Sequence, residues 1–213
     1  MDMERIFAIG DIHGCLDKLL QLMDRIEIDF RRDRVIFLGD YIDRGPRSKD
    51  VVDYLIRLQA KTDRVVFLKG NHEEMLERYL EGTDLMMFLD NGGEATLKSY
   101  GEIENKAETG PIPARHVAFF ESLRFYYETP SYIFVHAGLK PQIPLEKQDP
   151  WDMLWIRDEF IYSDFDFGKP VVFGHTPFRK PLDLNNKIGI DTGAVYGNTL
   201  TCVTLPEKRF ISV

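Results

Sequence analysis

The sequence predicts an α/β fold, a central β-sandwich of two mixed sheets flanked by helices, and three observations carry that prediction. Short apolar runs of strand length recur along all 213 residues. In the first third they alternate with segments of helical periodicity, an order that makes parallel strands joined by right-handed crossovers. In the last third they follow one another across turn residues, as antiparallel or mixed pairing requires.

The first run, Ile6 to Ile9, is continuously apolar, as a strand buried on both faces must be. Leu16, Leu19, Leu20, Met23 and Ile26 then recur at helical spacing and predict a helix covering the sheet. Val35 to Leu38 is the second strand, followed by a turn at Pro46 and Ser48 as the expected N-cap of a helix carrying Val51, Val52, Leu55, Ile56 and Leu58. Val65 to Leu68 is the third strand and leads into a helix around Glu74 to Leu80. From 81 to 123 the pattern breaks into short helical pieces, Leu85 to Leu89, Glu94 to Tyr100 and Ala114 to Leu123, separated by Gly92-Gly93 and the polar stretch Gly101 to Pro113. This is too short to hold a core of its own and reads as a helical insertion in one domain spanning 1–213. Phe125 to Glu128, Tyr132 to Val135, Val171 to Phe173, Lys187 to Ile190, Leu200 to Leu205 and Phe210 to Val213 are the remaining expected strands. A short helix is expected at Trp151 to Arg157.

Five of these strands end in residues suited to metal or phosphate. They run into Gly10-Asp11-Ile12-His13-Gly14, Gly39-Asp40-Tyr41-Ile42-Asp43-Arg44-Gly45, Lys69-Gly70-Asn71-His72-Glu73, His136-Ala137-Gly138 and Gly174-His175-Thr176-Pro177. Ligands gather outside the carboxyl ends of such strands. Asp11 and His13 can face one ion if the chain turns sharply, which Gly10 and Gly14 permit. Carboxylate with imidazole suits Mn, Fe, Zn or Ni better than Ca. Asp40 is a carboxylate able to bridge two cations, and Asn71, His136 and His175 offer donors for the second. Arg44 and His72 are left for substrate: the guanidinium fork matches phosphate oxygens, and His72 can protonate a leaving oxygen. Asp43 is placed to orient His72. Arg157, after two tryptophans, is a candidate second phosphate clamp. Cys15 reads as a small residue opening a helix, His116 as a surface residue, and Arg31-Arg32-Asp33-Arg34 as a solvated turn.

A formal charge of -8 argues against a nucleic-acid polymer as partner, since such surfaces are basic. It leaves room for a small anionic substrate, because a dinuclear site inverts the charge locally. Cys15 and Cys202 form no CxxC pair and fit a reducing compartment. No apolar stretch reaches membrane-spanning length and no signal-peptide pattern opens the chain, so cytoplasmic residence is expected. Oligomeric state is not legible.

The first three strand-end motifs resemble the three signatures of the phosphoprotein phosphatase family, within the calcineurin-like metallophosphoesterase superfamily. His136-Ala137-Gly138 and Gly174-His175-Thr176-Pro177 resemble its two later histidine motifs. The resemblance implies a metallophosphoesterase-type β-sandwich, with Asp11, His13 and Asp40 on one metal and Asp40, Asn71, His136 and His175 on the other. It implies Arg44 and His72 as phosphate clamp and general acid, Asp43 supporting His72, and Arg157 as a second phosphate arginine. The serine-alanine-proline-asparagine-tyrosine segment of the eukaryotic enzymes is replaced by Ile190-Asp191-Thr192-Gly193-Ala194-Val195-Tyr196-Gly197. This resembles compact bacterial and phage phosphatases, and also the bacterial dinucleoside tetraphosphatases, and Tyr196 is not assigned the eukaryotic tyrosine's role.

The activity expected from the sequence is that of a protein serine/threonine phosphatase. It uses two divalent ions, Mn2+ foremost, and attack by a hydroxide bridging them, on a phosphoprotein or small phosphorylated substrate. The alternative is symmetrical cleavage of diadenosine tetraphosphate, disfavoured because the insertion is short. A catalytically silent metal-binding interaction module is a remote third reading, opposed by the completeness of the ligand set.

Overall fold

The computed structural model describes residues 4–101 and 112–213. In chain order the first elements are β1 (Ile6–Ile9), α1 (Leu16–Arg25), β2 (Arg34–Phe37), α2 (Ser48–Gln59), β3 (Val65–Phe67) and α3 (Asn71–Leu80). The insertion holds α4 (Leu85–Phe88), α5 (Glu94–Tyr100) and α6 (Ala114–Glu121). After it come β4 (Tyr126–Glu128), β5 (Ile133–Val135), α7 (Pro150–Trp155), α8 (Asp158–Ile161) and β6 (Val171–Phe173). The chain closes with β7 (Leu182–Asp183), β8 (Lys187–Gly189), β9 (Thr201–Leu205) and β10 (Arg209–Ser212).

Two five-stranded sheets form, ordered β10-β9-β1-β2-β3 and β4-β5-β6-β8-β7. β1, β2 and β3 run parallel, with β9 antiparallel to β1 and β10 antiparallel to β9. In the other sheet β5, β6 and β8 are parallel, and β4 and β7 are antiparallel edges. Both sheets are therefore mixed, as the sequence implied. The two-residue edge strand β7 and the short helix α8 were not foreseen; neither is long enough to leave a periodic signal.

Alternation along the strands sorts the core into layers. Ile6 and Ala8 of β1 and Ile36 of β2 point between the sheets, where they meet Phe134, Val172 and Ile188. Phe7, Ile9, Val35 and Phe37 point the other way, onto Leu19 and Leu22 of α1 and Val51, Val52 and Leu55 of α2. Ile133, Val135, Val171 and Phe173 cover the far face of the second sheet with Met153 and Phe160 of α7 and α8. Each such side chain contributes about 1.5–3 kcal/mol on burial. The layers thus run helix, sheet, sheet, helix.

The insertion has no separate core. Phe88, Leu97, Phe119 and Phe120 join the apolar cluster formed by β1, β2, α1 and α2, and the Phe119 ring sits edge-on to Phe67 of β3 at 5.2 Å. Most of the polar stretch 101–113 lies outside the described residues. His116, expected at the surface, is fully buried: Tyr100 Oη lies 2.8 Å from its Nδ1 and Asp53 Oδ1 3.1 Å from its Nε2. That face of α6 is laid against α2, which the helix's own periodicity did not reveal. Cys15 precedes α1 as expected.

Candidate metal centre

The carboxyl ends of β1, β2, β3, β5 and β6 converge, bringing the five motifs from both sheets to one place. Asp11, His13, Asp40, Asn71, His72, His136 and His175 are all buried there. The loops reach this arrangement through backbone that most residues avoid: His13, Asp40, Asp43, Arg44 and His175 all have positive φ, between 44° and 71°. Left-handed conformations at non-glycine positions cost energy and cluster where surrounding structure enforces a function. Two glycines clear space for the carboxylates. A Cβ on Gly70 would stand 2.1 Å from Asp40 Oδ1, and one on Gly174 would stand 2.1 Å from Asp11 Oδ1.

Asp40 is the hub. Its Oδ2 lies 3.4 Å from His13 Nε2 and 3.9 Å from His72 Nε2, and its Oδ1 lies 3.4 Å from His136 Nε2. Burial disfavours its charge, but His136, His72, His13 and His175 outweigh that and hold its carboxyl below the usual carboxylate range. Burial, then Asp191 and Asp40, push the Asp11 carboxyl well up. Burial also pushes His13 down to about 3 and lowers His136 and His175.

Neutral imidazoles fix which nitrogen offers a lone pair. His13 Nδ1–H donates to Ile42 O at 2.7 Å and His136 Nδ1–H donates to Leu38 O at 2.8 Å, so Nε2 is the lone-pair atom of each. His136 Nε2 then faces Asn71 Oδ1 at 3.0 Å, and His175 Nδ1 approaches the same oxygen at 2.9 Å. Asp11 Oδ1, His72 Nε2 and His175 Nε2 are buried without a hydrogen-bond partner in the protein. Unpartnered polar atoms gathered around a shared carboxylate suit a cation. The donor chemistry therefore fits a divalent metal pair. Two sets have donor atoms within 4.8 Å of one another, His13 with Asp40 and His72, and Asp40 with His136 and His175. Asp40 is common to both, as a bridging carboxylate must be.

The geometry adds His72 to the first set, where the sequence reading placed Asp11. Asp11 sits beside β6, its Oδ2 accepting the His175 backbone N–H at 2.9 Å. His72 Nδ1 is held by Asp43 Oδ2 at 2.6 Å. Arg44 Nη1 lies 2.7 Å from His13 Nε2, within the cluster. Arg157 stands at the exposed rim and donates to Thr176 Oγ1 at 3.4 Å, one residue beyond His175. Every residue expected in the site is thus in or beside it.

Four contributors escaped the sequence reading. Thr96, in the insertion, donates to Asp43 Oδ1 at 2.6 Å, and its hydroxyl also receives the Asp43 N–H at 2.8 Å. The insertion is therefore part of the site's support, a contact no sequence period announces. Ser48 was expected as an N-cap but is the first residue of α2, and its hydroxyl instead accepts the Asp43 N–H at 3.1 Å. Glu73, buried, accepts the backbone N–H groups of Asp40, Tyr41 and Gly70, tying β2 to the start of α3. Asp191, at the end of β8, is buried and its carboxyl is pushed up to about 6 by that burial. It repeats the strand-end pattern of the other motifs and was legible as such.

Residues 4–196 match the family model of the calcineurin-like phosphoesterases. The chain belongs to that family. It is a hydrolase of metallophosphoesterase type, with Asp and His groups able to hold a dinuclear metal site. A bis(5'-nucleosyl)-tetraphosphatase PrpE (asymmetrical) from Oceanobacillus iheyensis is 31% identical over 98% of this chain and 92% of its own. A crystal structure provisionally assigned as a diadenosine tetraphosphatase superposes over 100% of this chain and 94% of its own, with TM-score 0.78 and 24% identity. A protein serine/threonine phosphatase of Saccharomyces cerevisiae shares the fold over 99% of this chain and 79% of its own, with TM-score 0.65 and 16% identity.

These likenesses overturn the expectation of a protein serine/threonine phosphatase and favour the alternative, dinucleoside tetraphosphate hydrolysis. The PrpE relatives also carry the word asymmetrical, where the alternative reading named the symmetrical reaction. The physical reason is plain: the motifs behind the expectation handle metal and phosphate, which both substrate classes present alike. The short insertion does not separate them either, because relatives that this chain nearly covers bear the tetraphosphatase name. Among the described residues no helix is long and apolar enough to cross a membrane.

Proposed function

We propose that the chain hydrolyses dinucleoside tetraphosphates asymmetrically, converting one substrate and one water into a nucleoside triphosphate and a nucleoside monophosphate. The near end-to-end likeness to asymmetrical bis(5'-nucleosyl)-tetraphosphatases supports this most directly. The two arginines beside a buried donor cluster accord with a polyanionic substrate.

In this reading Asp11, His13, Asp40, Asn71, His136 and His175 hold two divalent ions, Mn2+ foremost, with Asp40 shared. When bound, such a pair stabilises charge on the phosphoryl oxygens and activates water for attack at phosphorus. Arg44, now against His13, turns its fork to non-bridging phosphate oxygens, and Arg157 holds the polyphosphate at the rim. His72, its Nδ1 fixed on Asp43, presents Nε2 and gives a proton to the departing phosphate oxygen. Thr96 and Ser48 keep Asp43 in place. Burial of these groups excludes competing water from the hydrogen bonds that must form at the transition state.

The test is product analysis. Metal-loaded protein incubated with diadenosine tetraphosphate should give ATP and AMP in equal amounts on anion-exchange chromatography, and a chelator should stop it. Accumulation of ADP alone, or no turnover, would overturn the proposal.

A further inference from the structure

The exposed Tyr196 lies beside Arg44 on a turn held rigidly in place. Its side is 63% exposed, yet the turn carrying it is fastened on several sides. Gly193 and Gly197 have φ of 70° and 86° and bracket the single helical turn Ala194–Tyr196. Gly193 N–H donates to Asp191 Oδ1 at 2.9 Å, Tyr196 N–H to Gly193 O at 3.0 Å, and Lys18 Nζ to Ala194 O at 2.8 Å and to Asn198 O. A large aromatic ring kept in water contributes nothing to the core, and the backbone that carries it is already fixed by these hydrogen bonds. The Arg44 guanidinium lies over this ring, 5.6 Å from its centroid, and also touches His13. Tyr196 is therefore one side chain removed from the donor cluster. Trp155, edge-on to His175 at 6.1 Å, is already stacked on Trp151, which Arg78 covers in turn.

Resting on the proposed substrate class, we infer that Tyr196 is the stacking platform for the nucleobase next to the scissile bond. Asymmetrical cleavage breaks the chain between the first and second phosphates, so the reacting phosphorus has a nucleoside within one phosphate of it. A platform separated from the reacting centre by one phosphate-binding arginine matches that spacing. Arg44 then spans base and phosphate, and Tyr196 holds the nucleoside beside the reacting phosphate. Stacking tolerates any base, so adenine and guanine substrates should behave alike.

The experiment compares wild type, Tyr196→Ala and Tyr196→Phe on diadenosine tetraphosphate, with inorganic tetraphosphate as a base-free competitor. Loss of one stacked base should raise KM about 5- to 150-fold in Tyr196→Ala. Tyr196→Phe should stay within about twofold of wild type, and the inhibition constant of inorganic tetraphosphate should be the same for all three. Unchanged KM in Tyr196→Ala, or an equal weakening of inorganic tetraphosphate, would overturn the platform while leaving the substrate reading intact. Wild type that binds inorganic tetraphosphate but does not turn over diadenosine tetraphosphate would overturn the substrate reading itself, and with it the occupant named here.

Discussion

Replacing Asp43 by asparagine keeps the shape of a fully buried side chain and removes its charge. Asp43 Oδ2 lies 2.6 Å from His72 Nδ1, and its other oxygen receives the Thr96 hydroxyl at 2.6 Å. If His72 donates a proton during phosphoryl transfer, the Asp43 carboxylate stabilises its charged form and holds Nε2 toward the substrate. The smallest loss is the difference between a charge-assisted and a neutral hydrogen bond, about 1–1.5 kcal/mol. The ceiling is the attraction of two unit charges about 4 Å apart at an effective dielectric of 20, about 4 kcal/mol. Converted to rate, Asp43→Asn should lower kcat by about 10- to 10³-fold. The loss should be larger for an alkyl phosphate than for p-nitrophenyl phosphate, whose leaving group needs little protonation. The assay is steady-state turnover of both esters by metal-loaded protein, with circular dichroism to establish that the variant is folded. Equal losses on the two esters, or a change of less than about threefold, would refute the proton-donor role of His72.

Three further outcomes follow from the geometry. A Cβ at Gly92 would stand 2.7 Å from Arg44 Cγ at a φ of 98°, so Gly92→Ala should cost about 1–2 kcal/mol in backbone strain. It should also raise KM for phosphate substrates, read by urea titration and kinetics. Burial lowers the affinity of His116 for protons despite Asp53, and Arg115 and Lys49 act in the same direction as burial. The unfolded chain therefore takes up the extra proton, so stability present near neutral pH is lost as pH falls below about 6.5; the melting-temperature gap between wild type and His116→Gln should narrow from about pH 7.5 to about pH 5.5. Phe134 fills the space between the sheets with no exposure, and Phe134→Ala should cost about 3–5 kcal/mol in denaturant unfolding at unchanged m-value.

Most strands were legible because their signal is local. Ile6 to Ile9 and Val171 to Phe173 are apolar throughout, and the observed elements have those bounds. Helices such as Glu94–Tyr100 coincide with their expected range as well. Ser48 shows the limit. Its type suits a helix cap, but a hydroxyl within reach of Asp43 is spent there instead, and only the folded loop brings the two together. His116 was misplaced for the same reason, since burial depends on which neighbour a helix face meets.

The residue order alone determined the sheet-forming runs and the metal- and phosphate-handling side chains at their ends, because both are written in a few consecutive residues. It also determined the family, since the five motifs keep their order along the chain. Tertiary structure alone decided that Asp40 stands among four imidazoles, that Thr96 of the insertion supports Asp43, and that Tyr196 lies against Arg44. These contacts join residues 27 to 152 positions apart, and no local pattern records them. The substrate class belongs with this second group: metal and phosphate chemistry is common to many phosphoesters, and discrimination rests on what the folded rim places beside it.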